Sequence, residues 1–263
     1  MSIQMVLNGN AQNGQNQFKL NLKYAEKSMA KTVDLVISDN IGIENYIKES
    51  YPDAKTRFIA YGTDLKKSTL TADDYKVRKC FDNWKTKENG YYLIVGRFVP
   101  ENNYETAIRE FMKSNTRRDL IIISNHKNSA YFDKLKHLTN FERDHRVKFV
   151  GTVYDRDLLN YIRENAFAYI HGHEVGGTNP GLLEALGHTK LNLVLDVSFN
   201  KSVAGASAFY WNKTSGNLSC LINDADGHYD FTEYGNRARA IVKQNYTWEK
   251  IIGEYEGLFL NED

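Results

Sequence analysis

Apolar positions along the chain fall into short unbroken runs separated by amphipathic stretches. From residue 91 the order is regular: YYLIVG (91–96), DLIIISN (119–125), RVKFVG (146–151), FAYIHG (167–172) and LNLVLDV (191–197), with AFYWN (208–212) as a weaker sixth run. Runs of this length without polar alternation read as strands buried on both faces, as in a parallel sheet covered by helices. Between them, apolar residues at helical spacing predict helices over 102–114, 129–142, 155–166 and 180–189, and a short one near 201–206. Ahead of this lies a smaller unit: a helical pattern at 18–32, then VDLVIS (33–38), a helix at 40–51 and KTRFIAYG (55–62). Such alternation winds into right-handed β-α-β units. The expected fold is α/β, a Rossmann-like parallel sheet with helices on both faces.

The same pattern divides the chain. Residues 1–17, ending in NGNAQNGQNQ, read as a flexible leader and 18–66 as the small β-α-β unit. The charged, turn-rich stretch 67–90 reads as a connection, with Thr71 and Asp74 at capping-box spacing. Residues 91–240 hold the main sheet, and 241–263 form a C-terminal helix that ends a long helical segment.

In open parallel sheets ligands bind at the carboxyl ends of the strands. The run HGHEVGGTNPGLLEALGHTK (171–190) ends one strand there and opens a helix. Asn179 is a preferred N-cap and Pro180 suits the first helical position, so helix N–H groups would face the crevice. Gly176 and Gly177 let backbone approach a ligand closely, and with Thr178 they form an anion site, most naturally for phosphate. A plain capped helix behind a loop accounts for the same residues. Glu184, flanked by Leu183 and Ala185, needs partners: a pair of sugar hydroxyls or a nearby Arg or Lys. His171 and His173 leave the strand end on one side. With Glu174 they raise zinc, but no fourth ligand and no HExxH pattern accompany them, so no metal is expected. One His is expected to face the ligand while the other packs. After the 91–96 strand, Gly96 frees the turn and Arg97 is placed to clamp a phosphate with two hydrogen bonds.

Composition removes several classes. With 263 residues, 41% hydrophobic and 25% charged, the chain holds one large or two small domains. A net charge of +1 gives nucleic acid no support, and none is expected as a partner. The two cysteines, Cys80 and Cys220, lie far apart, which fits a reducing cytoplasm rather than a disulfide framework. No apolar run reaches the ~20 residues of a membrane span. GxGxxG, GxxxxGK[ST] and GxSxG are all absent, against a nicotinamide site, a P-loop and a hydrolase elbow.

Four stretches taken together, VGRFVPENNYETAIREFMKS, HGHEVGGTNPGLLEAL, LNLVLDVSFNKSVAGASAFYW and YTWEKIIGEYEGLF, resemble GT-B glycosyltransferases. The nearest likeness is to the branch of glycosyltransferase family 4 that holds bacterial rhamnosyltransferases of capsule and cell-wall polysaccharide synthesis, over residues 20–260. The resemblance implies two Rossmann-like domains across a cleft, the C-terminal one binding a nucleotide-sugar donor. It implies Gly96 and Arg97 at the diphosphate, Gly176, Gly177, Thr178 and Asn179 around phosphate and sugar, with Asn103 and His173 beside them. Glu184 would hold the ribose, and backbone near Thr152 and Val153 would meet the base. No metal or other cofactor is implied, because helix dipole and basic side chains stabilise the leaving diphosphate. The implied donor is dTDP-L-rhamnose, with UDP- and GDP-sugars as alternatives. The acceptor would be a lipid-linked glycan, met in the cytoplasm or at the inner membrane face, with retention of anomeric configuration.

The sequence departs from this pattern in three places. The wider family carries a second glutamate where this chain has Gly176, and Glu174 is out of register. A family Lys or Arg is replaced by Asn102. Residues 18–66 resemble only the last β-α-β of an acceptor domain, so a truncated, shortened or split enzyme with a partner acceptor domain is expected. A non-catalytic nucleotide-sugar-binding module is the alternative. A GT-B epimerase is a third reading, for which the expected acid and base groups are not visible.

Overall fold

The computed structural model describes residues 14–260 except 128 and 229. The small unit comprises α1 (Gly14–Thr32), β1 (Val36–Ser38), α2 (Ile41–Ser50) and β2 (Thr56–Phe58). β1 and β2 pair in parallel, Val36 opposite Thr56. Asn40 caps α2, its side-chain oxygen accepting from the Gly42 N–H at 2.8 Å. Residues 14–17 of the expected leader belong to α1; residues 1–13 lie outside the described residues.

α3 (Tyr75–Trp84) comes next, inside the expected connection. Its Val77 and Phe81 are buried against Tyr91 and Tyr161, so this stretch belongs to the main core. Thr71 and Asp74 do interact, but not as a capping box. Asp74 is itself the N-cap residue, and its carboxylate accepts from the Thr71 N–H and hydroxyl at 2.6 and 3.0 Å.

The main unit runs β3 (Tyr91–Val95), α4 (Tyr104–Lys113), β4 (Asp119–Ile123), α5 (Ala130–Thr139), β5 (Val147–Gly151), α6 (Arg156–Glu164) and β6 (Ala168–His171). It continues through α7 (Pro180–His188), β7 (Asn192–Leu195), α8 (Ser198–Ala204), β8 (Phe209–Trp211) and α9 (Asn217–Asp226). The chain closes with α10 (Thr232–Asn245) and α11 (Trp248–Leu260). The expected single C-terminal helix is therefore two, broken at Tyr246 and Thr247, and a boundary at residue 240 would cut through α10. Residues 261–263 lie outside the described residues.

The sheet has six parallel strands in the order β5-β4-β3-β6-β7-β8. Alternate residues of each strand feed opposite layers, as the pleat requires. Tyr92, Ile94, Leu120, Ile122, Ile170 and Leu193 pack beneath α4 and α9. Tyr91, Leu93, Ile121 and Tyr169 pack under α3 and α6. A third cluster joins Ile59 and Ala60, just after β2, to Leu182, Leu186, Val242 and Ile251. The strand order reverses between β3 and β6, and the crevice outside such a switch point is where this class of sheet binds ligands.

Candidate functional site at the switch point

A cavity of about 420 Å³ opens between the carboxyl ends of β3 and β6. The β3 side contributes Val95, Gly96 and Arg97, and Asn102 follows on the next turn. The β6 side contributes His171 and His173, then the loop through Gly176, Gly177, Thr178 and Asn179 into α7. Asp39, Ile43 and Tyr61 reach in from the small unit.

The loop is shaped as its sequence requires. Gly176 has φ 95, in the left-handed region that favours glycine. Asn179 caps α7, its Oδ1 accepting from the Gly181 and Leu182 N–H groups at 2.9 and 3.3 Å, with Pro180 in the first helical position. The cap therefore takes two of the helix donors expected to face a ligand. Among the described residues the N–H groups of Gly176 and Gly177 have no partner within the protein. The Thr178 N–H and hydroxyl both donate to the Asp39 carbonyl, fastening the loop to the small unit.

The β3 side is braced by side chains. Asn102 donates through Nδ2 to the Arg97 carbonyl at 2.6 Å, and its Oδ1 meets His173 Nδ1 at 2.7 Å. Asn103, at φ 53, donates to the Gly172 carbonyl at 2.8 Å. A side chain at Gly172 would overlap the Asn102 carbonyl, so glycine permits the close approach of the two loops.

Both histidines are buried. Burial, with a smaller contribution from His173, pushes the His171 imidazole down to about 3. Its Nε2 is buried with no hydrogen-bond partner among the described residues. Burial and then the Arg97 guanidinium lower His173, partly offset by the Val175 carbonyl and by Glu101 and Glu174. Both rings are thus neutral near pH 7, and both residues border the cavity. Asp39 is raised from its ordinary value by burial. Glu174 forms an ion pair with Lys213. Among the described residues no group of three or more His, Cys, Asp or Glu is placed to hold a metal ion.

Of the residues singled out in the sequence, Gly96, Arg97, His173 and Gly176 to Asn179 come together around this cavity. Four stand outside its lining. Asn103 ties the two loops from behind. Thr152 is exposed and Val153 packs on the α3–α6 layer, because β5 is the edge strand, two places from the switch point. Glu184 forms an ion pair with Arg163, whose side chain is only 3% exposed. Sequence reasoning missed Asp39, Tyr61 and the bracing role of Asn102. The strand-end rule that located Arg97 and His173 also applies to Asp39, which directly follows β1.

A family model described as a domain of unknown function (DUF1972) matches residues 12–64. The chain is 23% identical over 259 residues to an uncharacterized glycosyltransferase of Methanocaldococcus jannaschii, covering 93% of this chain and 64% of that protein. Among solved structures it resembles sucrose-phosphate synthase of Thermosynechococcus elongatus, with TM-score 0.78 and 18% identity over 95% of this chain and 63% of the synthase. It also resembles Anabaena HepE in complex with UDP and glucose, with TM-score 0.78 and 17% identity over 94% of this chain and 68% of HepE. The chain thus spans about two thirds of the length of these proteins. Its fold is that of the GT-B glycosyltransferases, a parallel sheet flanked by helices.

Proposed function

We propose that this chain is the donor-binding portion of a retaining glycosyltransferase. Its donor is a nucleotide-sugar, dTDP-L-rhamnose foremost, and its acceptor a lipid-linked glycan. The observation that carries this reading is the cavity at the switch point, with Arg97 on one wall and the Gly176–Gly177 turn before α7 on the other. A guanidinium, two unpaired backbone N–H groups and a helix N-terminus on one cavity suit a diphosphate, and need no metal to offset the leaving charge. HepE is described in complex with UDP and with UDP-glucose, which supports a nucleotide-sugar as the ligand class. In this reading Gly96 and Arg97 bind the diphosphate, Gly176 to Asn179 cradle phosphate and sugar, and His173 faces the sugar. Glu184, held by Arg163 through one carboxylate oxygen, offers the other to the ribose at the rim. Asn103 acts through the loop it fixes, while Thr152 and Val153 meet the base only if it extends toward β5.

Calorimetric titration with dTDP, UDP and GDP tests this. Saturable dTDP binding, about tenfold weaker in Glu184→Ala as expected for a lost charged hydrogen bond, supports the donor and the ribose contact. Preference for UDP or GDP discards the rhamnosyl donor alone. Absence of binding by all three overturns the reading.

A specific feature also favours a separate acceptor-side partner domain. Leu22, Tyr24, Val33, Ile37 and Ile41 of the small unit are 37–78% exposed. Apolar side chains gathered on one unit mark a surface that associates. Sedimentation at rising concentration is expected to show self-association, reduced by Ile37→Lys with Ile41→Lys. A strict monomer at all concentrations counts against it.

A further inference from the structure

Asp39 is unexplained by the folding of its own unit. Asn40, not Asp39, caps α2. The Asp39 carboxylate makes no ion pair and no hydrogen bond to another described residue, although burial has raised its affinity for a proton. Apart from its own backbone N–H, this half-buried carboxylate finds no donor among the described residues, which is costly. Yet its position is fixed from both sides. Its carbonyl accepts from the Thr178 N–H and hydroxyl, and a methyl group at Gly177 would overlap its carboxyl group. Glycine at 177 therefore leaves room for this carboxylate, which lines the cavity.

The chemistry of the lining tells what it faces. Among the described residues Asp39 is the one carboxylate on the cavity wall and Arg97 the one guanidinium. A diphosphate offers only acceptors and negative charge, so it is repelled by Asp39 and drawn to Arg97. A sugar offers hydroxyl donors, and adjacent hydroxyls match the two oxygens of a carboxylate. Resting on the nucleotide-sugar reading above, we propose that Asp39 is the sugar-recognition residue of this pocket. It would accept hydrogen bonds from the donor sugar's hydroxyls and so bring the small unit into donor selection.

The test compares each nucleotide with its sugar conjugate, UDP against UDP-glucose and dTDP against dTDP-L-rhamnose, in wild type, Asp39→Asn and Asp39→Ser. Asparagine keeps the shape and removes the charge. The expected result is that both variants weaken the conjugate at least tenfold more than the bare nucleotide, since charged hydrogen bonds to hydroxyls are lost and diphosphate contacts are not. A merely structural role weakens both ligands alike. Equal changes, no change, or tighter binding of both ligands overturn the assignment of Asp39 and leave the nucleotide site standing. If the wild type binds none of the four ligands, the nucleotide-sugar reading fails and this one with it. Circular dichroism identifies a variant that has not folded, in which case the other decides.

Discussion

His171 shows at the scale of one residue what the cavity demands. Its ring stacks on Tyr169 with centroids 6.1 Å apart and meets His173 edge-on at 6.3 Å. Among the described residues no acid pairs with it, and burial holds its titration near 3. The unfolded chain would take up a proton near pH 6.5, the folded chain only near 3, so between those values unfolding binds a proton. Stability is then complete above pH 6.5 and falls as pH drops, by about 1.4 kcal/mol per pH unit for this one group. His173 is shifted in the same direction and adds to the slope. Urea unfolding at pH 7, 6 and 5 is expected to show His171→Gln losing less stability on acidification than wild type, by about one proton's worth of slope. Equal slopes would place the acid sensitivity elsewhere.

At the scale of elements, legibility followed burial. Strands β3, β4, β6 and β7 lie in the sheet interior, so both faces are apolar and each shows as an unbroken run. α7 was readable because its start carries local chemistry, Asn179 then Pro180, that needs no tertiary context. α9 was missed although Leu218, Ile222 and Ala225 have helical spacing, because the asparagines, aspartates and Ser219 around them read as loop. The 67–90 stretch reads as a connection in sequence because only Val77 and Phe81 of α3 are buried, too few to outweigh its charge. In the site, strand ends and loop glycines are visible in sequence, and so is the need of Glu184 for a partner such as an Arg or Lys; that the partner is Arg163 is not, since ion pairing between α6 and α7 depends on how they pack. Asp39 was hidden for a related reason: its role depends on Thr178, 139 residues away.

At the scale of the whole molecule, the site depends on how the small unit is held to the main sheet. Two paired strands of three residues each do not make an independently stable unit. α11 supplies the missing cover. Its Ile251 is 3% exposed among Ile59, Ala60, Val242 and Tyr246, and Trp248 lies against Gly62. The Thr63 N–H donates to the Tyr246 carbonyl at 2.7 Å, and Thr63 bridges Thr247. Arg239 on α10 adds a link, donating to the carbonyls of Leu65 and Gly187. Burying an Ile side chain contributes about 2–3 kcal/mol, a large part of what so small a unit can have. Ending the chain at Tyr246 is therefore expected to release the small unit while β3 to β8 stay folded. Hydrogen exchange should show protection lost at 36–38 and 56–58 but kept at 91–95 and 119–123. If all four segments keep their protection, the small unit stands without α11. If all four lose it together, the molecule unfolds as a single cooperative body. Under the expected outcome Asp39 leaves Thr178, so the truncated chain should also lose the preference for nucleotide-sugar over nucleotide that Asp39 is proposed to confer.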